Sequence, residues 1–337
     1  MTHHRADQDP PGESRQTAPP PEAGPDSPTQ LSRRSLWAAL RNSVSEFKRD
    51  SLTVWAAALT YYAIMSLFPG LLVLVAVLGL VNDSLTQDLL DTVAPIVPGP
   101  VRDIFTAAVH NIQQGQGKAG LAAVVGLLIG IWSASGYVAA FMQASNAIYD
   151  VAEGRPIWKK LPVRLGITLA TGVLLVASVL LVVVSGRLAE QLGTLLHIST
   201  ATVTAWNVVK WPVLAVLVSL MFALLYWAAP NVRHGGFRWV TPGGLIAVLL
   251  WIIASLVFGV YVANFATYNK TYGALGGIIV FLVWMWLTNL AILYGAEVNA
   301  ELERQRAIAA GAPKDEEPYM QMRDASKVEP DDTSDLR

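Results

Sequence analysis

Polar side chains interrupt long stretches of apolar residues at helical spacing. Tyr261, Asn264 and Tyr268 fall at i, i+3 and i+7 on one helix face, and Asn289 and Glu297 share a face in the next stretch. A polar residue inside a membrane is expected to face protein or a water-filled cavity, which makes it a functional candidate. The pattern predicts a polar path with the candidate residues Tyr61, Tyr62, Ser66, Pro69, Asn146, Tyr261, Asn264, Tyr268, Tyr272, Asn289, Glu297 and Asn299.

Two of these residues carry specific expectations. Proline removes a backbone donor and clashes with the preceding turn, so Pro69-Gly70 predicts a kink in its helix. Broken helices line cavities in transporters, although kinks also serve packing. Glu297 lies near the end of its apolar stretch. It is open whether Glu297 is hydrated, pairs structurally with an arginine, or handles a substrate or a proton.

Basic residues cluster in two connections between apolar stretches, at positions 155–164 and 233–238. Such clusters can bind anionic lipid headgroups. The positive-inside rule also requires basic inner loops without any further function, so both interpretations stay open. Under the first interpretation, the headgroup contacts are Arg164, Arg233 and Arg238.

Missing motifs narrow the classes of chemistry. The sequence has no GxxxxGK[ST] phosphate loop, no HExxH and no GxSxG. It has no cysteine, and its five histidines are scattered, so no metal cluster is predicted. A net charge of −1 gives no general attraction to nucleic acid. We expect no catalytic residues, no cofactor and no nucleic-acid partner.

Membrane-spanning helices must position these polar residues. Six intervals of at least 22 residues contain no Asp, Glu, Lys or Arg, and a bilayer needs roughly 20 apolar residues per helix. Backbone groups in lipid must be paired internally, so the intervals are predicted to be helical. The predicted fold class is all-α, a polytopic membrane protein with about six transmembrane helices. The spans are placed at 57–81, 119–142, 165–186, 208–229, 243–266 and 275–298.

The distribution of basic residues predicts the orientation. With both termini in the cytoplasm, 19 of the 24 Lys and Arg residues lie inside, as the positive-inside rule requires. The predicted topology is therefore multi-pass with both termini in the cytoplasm, and the first span acts as an uncleaved signal-anchor. The five outside residues are Arg102, Lys118, Arg187, Lys210 and Lys270.

Segments outside the spans are predicted from their composition. Residues 33–50 read as an amphipathic helix, either on the membrane surface or docked on its own protein. Residues 82–118 predict an outer amphipathic hairpin of two helices, and 188–207 a smaller cap. The predicted domains are a disordered cytoplasmic tail at 1–32, a six-span membrane domain at 33–305 and a disordered cytoplasmic tail at 306–337.

Several separate motifs, in order along residues 35–305, resemble the YihY/BrkB family of bacterial membrane proteins. The family usually has Pro-Gly-Ala where this chain has Pro242-Gly243-Gly244. The motifs are ALTYYAIMSLFPGLL (58–72), IWSASGYVAAFMQASNAIYD (131–150), LYWAAPNV (225–232), TPGG (241–244), YVANFATYNKTYGALGG (261–277) and WMWLTNLAILYGAEVNAE (284–301).

The resemblance implies a location in the bacterial cytoplasmic (inner) membrane, and it also implies several functions. Some members carry the label ribonuclease BN, but the clustered His and Asp residues of a zinc-dependent nuclease are absent from the sequence. Other members are linked to serum resistance and to lipid precursors of the envelope. We expect a lipid or amphiphile transporter, flippase-like, driven downhill or by a gradient. The alternative is a non-transporting envelope scaffold or assembly factor. Membrane lipids are the expected partners, and a homo-oligomer or an envelope protein partner is left open.

Overall fold

The computed structural model describes residues 24–81, 119–183, 200–264, 269–314 and 318–328. At the helix ends that adjoin the largest gaps, the description covers the backbone only. The predicted outer hairpin and most of the predicted cap therefore lie outside the described residues.

Seven α-helices make up the described part of the chain, with two short 3-10 helices at Pro28–Gln30 and Phe237–Trp239. The α-helices are α1 (Arg33–Arg49), α2 (Leu52–Val81), α3 (Ala119–Ile148), α4 (Ile157–Val183), α5 (Thr200–Ala228), α6 (Thr241–Asn264) and α7 (Asn269–Ala309).

Long apolar helices dominate this fold. Large apolar side chains such as Val173, Val216 and Leu256 are about two-thirds exposed, which soluble monomers rarely tolerate over wide areas. An all-helical membrane protein is thereby confirmed for the described residues, while the total of six spans stays a prediction. Among the residues described, four segments are long and apolar enough to cross a membrane: Ile157–Val182, Val208–Ala228, Phe237–Val262 and Gly276–Ala309.

The six long helices pack in a closed ring. Each of α2 to α6 contacts the next helix along the chain, and α7 contacts both α6 and α2. Helix α3 also reaches α7, so the polar faces of these helices meet inside the bundle. One end of the ring gathers residues 24–51, 149–156, 229–240, 302–314 and 318–328. We call this the charged end, and it corresponds to the predicted cytoplasmic side.

All six long helices extend beyond their predicted spans at one end or both, and α4, α5 and α7 do so by the most residues. Helix α4 begins at Ile157, directly after Pro156, so Arg164 lies in a helix and not in a loop. Helix α5 begins at Thr200 and includes part of the predicted cap. Helix α7 continues to Ala309 and ends before Gly311, which adopts a positive φ of 102°. The prediction of spans detects only the apolar part of each helix. The helix itself continues until a residue such as proline or glycine changes the backbone conformation.

Helix α1 forms where the amphipathic pattern predicted it, and its N-cap Ser32 accepts a hydrogen bond from the Ser35 backbone N–H. It docks on α7, which is one of the two placements left open by the sequence. Ala39 and Ser43 are buried in this contact. On another face, Trp37 and Val44 are exposed, so α1 also presents an apolar surface outward.

Parts of both predicted tails pack against the helices. Leu31 is buried, and the Pro25 carbonyl accepts a hydrogen bond from Arg306 Nε at 3.3 Å. Met322 forms an antiparallel bridge with Val232, and Met320 is buried. These short segments of the predicted tails thus pack against the helices through a few apolar residues, and the disorder of the two tails as a whole stays a prediction. The remaining tail residues lie outside the described ranges.

Candidate functional site

A buried polar cluster joins α2, α3 and α7. Asn289 Nδ2 donates to Thr60 Oγ1 at 3.0 Å, and Asn289 Oδ1 accepts from the Tyr137 hydroxyl at 2.9 Å. Thr60 Oγ1 donates in turn to the Ala56 carbonyl at 2.7 Å. Asn289 is only 1% exposed, and both ends of its amide are engaged. Its contacts hold three helices together, which is a structural role.

Helices α6 and α7 meet at two glycines and one asparagine. A Cβ atom on Gly243 would collide with the Gly295 carbonyl oxygen, so only glycine permits this approach. Asn299 Oδ1 accepts from the Gly243 N–H at 2.8 Å, and Asn299 Nδ2 donates to the Val240 carbonyl at 3.0 Å. The first N–H groups of a helix lack intrahelical partners. Asn299 therefore caps the start of α6 from the neighbouring helix.

Asn146 organises the connections at the charged end. Its Oδ1 accepts from the Asn231 N–H at 2.7 Å, and its Nδ2 donates to Glu153 at 3.1 Å. Glu153 also accepts from Arg155 Nε at 2.7 Å and Nη2 at 2.8 Å. Burial alone would raise the pKa of Glu153, but the hydrogen bonds and charge of Arg155, with Lys160 and Asn146, lower it. Glu153 is thus held as a carboxylate.

The C-terminal segment completes this network. Asn231 Nδ2 donates to the Asp324 carbonyl at 2.7 Å, and the Arg323 N–H donates to the Asn231 carbonyl at 2.8 Å. The Asp324 carboxylate pairs with Lys159. Hydrogen bonds from Lys159 and from Ser326 hold the pKa of Asp324 well below its usual range. The segment fastens the α3–α4 and α5–α6 connections together.

A small cavity of about 30 Å³ lies between α1, α7 and the end of α3. This volume holds on the order of two water molecules. Glu297 is 1% exposed and lines this cavity together with Asp50. Its Oε2 has no hydrogen-bond partner among the described residues. We call this the acidic cavity; its lining includes Glu46, Asp50, Tyr149, Asp150, Glu297, Glu301, Arg304 and Tyr319.

Arg304 is the only cation among the described residues that line the acidic cavity. Its Nη1 lies 3.0 Å from Glu301 and 3.6 Å from Glu46. Its guanidinium also stacks over the Tyr319 ring at 4.4 Å. Arg304 therefore neutralises part of the charge of Glu301 and Glu46.

A second buried acid lies beyond Tyr149. Glu303 Oε2 lies 2.9 Å from His234 Nδ1, and both side chains are fully buried. The Tyr149 ring packs edge-on against His234 at 5.5 Å. Burial, and then the charges of Glu303 and Glu297, raise the pKa of Tyr149 well above its usual value. Tyr149 thus separates two buried acidic groups and keeps its proton.

At the bundle surface, Arg164 lies in what we call the aromatic–arginine groove, formed by Tyr62, Trp132, Ser135 and Arg164. Arg164 Nε donates to the Ser135 carbonyl at 2.7 Å, and Nη2 donates to Ser135 Oγ at 2.6 Å. The guanidinium lies 5.2 Å from the Trp132 ring centroid. Trp132 is 59% exposed and Tyr62 40% exposed. A fixed cation is thereby presented beside aromatic rings at the bundle surface.

Comparison with known proteins identifies the family. The sequence profile of the family described as Virulence factor BrkB matches residues 43–319. The chain belongs to this family. A ribonuclease-like protein of Bacillus subtilis, YfkH, is 30% identical over 264 residues, covering 78% of this chain and 93% of YfkH. The resemblance to YihY/BrkB proteins is confirmed.

Other relatives of this BrkB-family chain are named as membrane proteins. A UPF0761 membrane protein of Rhodospirillum centenum is 30% identical over 276 residues, covering 80% of this chain and 58% of the relative. One of Alkalilimnicola ehrlichii is 32% identical over 284 residues, covering 79% and 59%. The chain thus spans about three-fifths of the length of these two relatives. No solved structure matches.

The predicted path residues lie in several separate places. Asn146, Asn289 and Asn299 belong to structural networks, and Glu297 lines the acidic cavity. Ser66 donates to the Ala63 carbonyl within its own helix. Tyr61, Tyr62 and Tyr261 are exposed on the bundle surface. Tyr268 and the side chains of Pro69, Asn264 and Tyr272 lie outside the description.

The predicted headgroup residues also divide. Arg164 lies in the aromatic–arginine groove, whereas Arg233 and Arg238 are exposed at the charged end. The backbone N–H of Arg233 donates to the Gln321 carbonyl at 2.9 Å. The carboxyl groups that act electrostatically on Glu297 are those of Asp50, Glu301 and Glu46.

Sequence reasoning missed most of the acidic cavity. Glu46 and Asp50 are four residues apart, as are Glu297 and Glu301, so each pair shares one helix face. The spacing within these two pairs was the signal in the sequence that could have indicated the acidic cavity. That they face each other depends on the docking of α1 against α7, which the sequence left open.

Proposed function

We propose that this BrkB-family chain moves an amphiphile with an anionic headgroup between the leaflets of the bacterial cytoplasmic membrane. The observation that carries the proposal is the aromatic–arginine groove. Two guanidinium nitrogens of Arg164 bond Ser135, and a guanidinium has five N–H donors. Arg164 therefore retains N–H donors for the phosphate of a headgroup. The exposed rings of Tyr62 and Trp132 are placed to contact the acyl chains of the same amphiphile.

The proposed topology has six spans, both termini in the cytoplasm and an outer helical hairpin at 82–118. The excess of basic residues at the predicted inner side supports this orientation. Movement would be downhill or gradient-driven, since no nucleotide-binding motif occurs in the sequence. We propose no catalytic role; the ribonuclease-like name belongs to YfkH.

Reconstituted protein tests this function. Liposomes carrying fluorescent phosphatidylglycerol in the inner leaflet should expose the label to an external quencher faster when the protein is present. Arg164→Gln should slow this exposure about tenfold, since a charge-assisted hydrogen bond contributes about 1.5–3 kcal/mol. The matched control is Arg34→Gln, which removes an exposed cation at the charged end and should leave the rate unchanged.

Two results would contradict the proposal. One is a rate no greater than that of protein-free liposomes for every anionic lipid tried. The other is an equal effect of the two arginine substitutions, which would indicate general surface charge as the cause.

A non-transporting envelope scaffold is the second candidate. It is favoured by the exposed apolar face of α1, where Trp37 and Val44 point away from the bundle. Apolar substitution of Asn289 does not discriminate, because its structural bonds matter to either function. In cells, Arg164→Gln should preserve a scaffold function and impair a transport function.

A further inference from the structure

One side of α1 is left uncovered by the helical bundle. Trp37 is 70% exposed, Val44 57% and Leu40 40%. At 3.6 residues per turn, these three positions share one side of the helix. Arg33 and Lys48 are also exposed and continue the same side at its two ends. We call these five residues the outer stripe of α1.

The charges of α1 are divided between its two sides. Glu46 is the only acidic residue within the helix, and it faces α7, where Arg304 Nη1 lies 3.6 Å from its carboxylate. Arg49 Nη1 lies 3.5 Å from the same carboxylate. The outer stripe therefore carries cations and no acidic residue, which makes it complementary to an anionic surface.

The contacts of α1 place the outer stripe where the apolar part of the bundle ends. Ser43 Oγ donates to the Tyr294 hydroxyl at 3.1 Å, and Tyr294 lies close to the end of the predicted span 275–298. Ala39 is buried in one cluster with Val298. A two-residue connection joins α1 to α2. The outer stripe is thus held at the level where a bilayer changes from acyl chains to headgroups.

A second exposed tryptophan lies at the same end of the bundle. Trp158 is 71% exposed in the first turn of α4, directly after the charged-end residues 149–156, and its neighbour Ile157 is 67% exposed. Tryptophan is enriched at the interface between membrane and water. Trp37 and Trp158 belong to different helices, so two separate parts of this end present side chains suited to that interface.

We propose that the outer stripe of α1 binds the anionic lipid surface of the leaflet at the charged end. Trp37, Leu40 and Val44 enter the boundary between headgroups and acyl chains, as the apolar face of an interfacial helix does. Arg33 and Lys48 contact the headgroup phosphates. Helix α1 therefore makes two contacts at once, with α7 through one side and with lipid through the other.

This binding surface is separate from the aromatic–arginine groove, because Arg164 lies on α4. The proposal concerns the docking of a helix on lipid and holds whether or not an amphiphile crosses the membrane. A protein partner is the competing occupant of the outer stripe. Reconstituted protein in liposomes distinguishes the two, because lipid is then present and a protein partner is not.

A fluorescent probe on α1 tests the position of the outer stripe. The chain contains no cysteine, so a single introduced cysteine can be labelled selectively. In full-length protein in liposomes of phosphatidylcholine and phosphatidylglycerol, a polarity-sensitive probe on Val44→Cys should emit at shorter wavelength and be quenched by brominated acyl chains. The matched control is Ser45→Cys, an exposed position on another side of α1, whose probe should be quenched by iodide in the water. Equal quenching of the two probes by iodide would overturn the proposal and leave the outer stripe open to a protein partner.

The charge of the lipid tests the second half of the proposal. Brominated phosphatidylglycerol should quench the Val44→Cys probe more strongly than the same amount of brominated phosphatidylcholine. Lys48→Gln should lower this preference about fivefold, since one cation near an anionic surface contributes an attraction of that order. The matched control is Arg49→Gln, which removes the next cation along the chain, paired with Glu46, and should leave the preference unchanged.

Two results would overturn the assignment to anionic lipid. One is equal quenching by the two brominated lipids when Lys48 is present. The other is an equal effect of Lys48→Gln and Arg49→Gln. Neither measurement depends on lipid crossing the membrane, so a failure of the proposed function would leave both results valid.

Discussion

Helix α7 carries two buried polar regions that differ in how their groups are satisfied. The closure contacts, made by Asn289, Gly295 and Asn299, have each polar side chain fully engaged by a neighbouring helix. The acidic cavity places Glu297 beside another carboxyl with one oxygen unpartnered among the described residues. Buried polar groups that make all their hydrogen bonds stabilise one arrangement of the helices. A buried ionisable group that lacks a hydrogen-bond partner costs free energy and marks a functional candidate.

The largest expected effect is on the closure contacts. Gly243→Ala should lower the free energy of unfolding by about 3 kcal/mol, because the new Cβ meets the Gly295 backbone, which cannot yield as a side chain would. The matched control is Gly259→Ala in the same helix, where a Cβ meets nothing within 4 Å. Denaturant unfolding in detergent measures both. Equal stability of the two variants would contradict the close approach.

Asn289→Leu should cost about 2 kcal/mol, because it leaves the Tyr137 hydroxyl without its acceptor and removes the bond to Thr60. Tyr137→Phe removes only one of the two bonds and should cost about half as much. The same unfolding measurement applies. A negligible loss for Asn289→Leu would show that the cluster does not hold the three helices.

The acidic cavity should respond differently. Glu297→Gln should change the free energy of unfolding by less than about 1 kcal/mol, since Glu297 Oε2 has no hydrogen bond among the described residues for the substitution to remove. Glu297 is as deeply buried as Asn289. Comparing Glu297→Gln with Asn289→Leu therefore separates the effect of hydrogen bonding from the effect of burial. A loss as large as that of Asn289→Leu would place Glu297 among the structural contacts.

The smallest expected effect is a pH dependence at Glu153. Its folded pKa lies below the ordinary value of 4.5, so its ion pair stabilises the protein above that pH. The stability is lost as pH falls through the lowered pKa. The contribution is less than about 1 kcal/mol, because the group is partly exposed. Thermal unfolding of the wild type and Glu153→Gln should differ at neutral pH and converge in acid; a constant difference would contradict this.

Much of the fold could be predicted, and less of the site. The helical spans followed from charge-free intervals because lipid forces backbone pairing within each segment. Asn289 and Asn299 were singled out as buried polar residues, but their structural roles depend on Tyr137 and Gly243 of other helices. Sequence periodicity shows which residues share one face of a helix. It cannot show which face of another helix packs against that face.

The sequence by itself determined the all-helical membrane architecture and the family, because apolar length and ordered motifs are local properties of the chain. Only the tertiary structure decided which buried polar side chains make hydrogen bonds to neighbouring helices. It placed Asp50 and Glu297 on the lining of one cavity and brought residues of the predicted C-terminal tail back to Asn231. Both arrangements join residues far apart in the chain, and their energies depend on distances and burial that arise only when the helices pack.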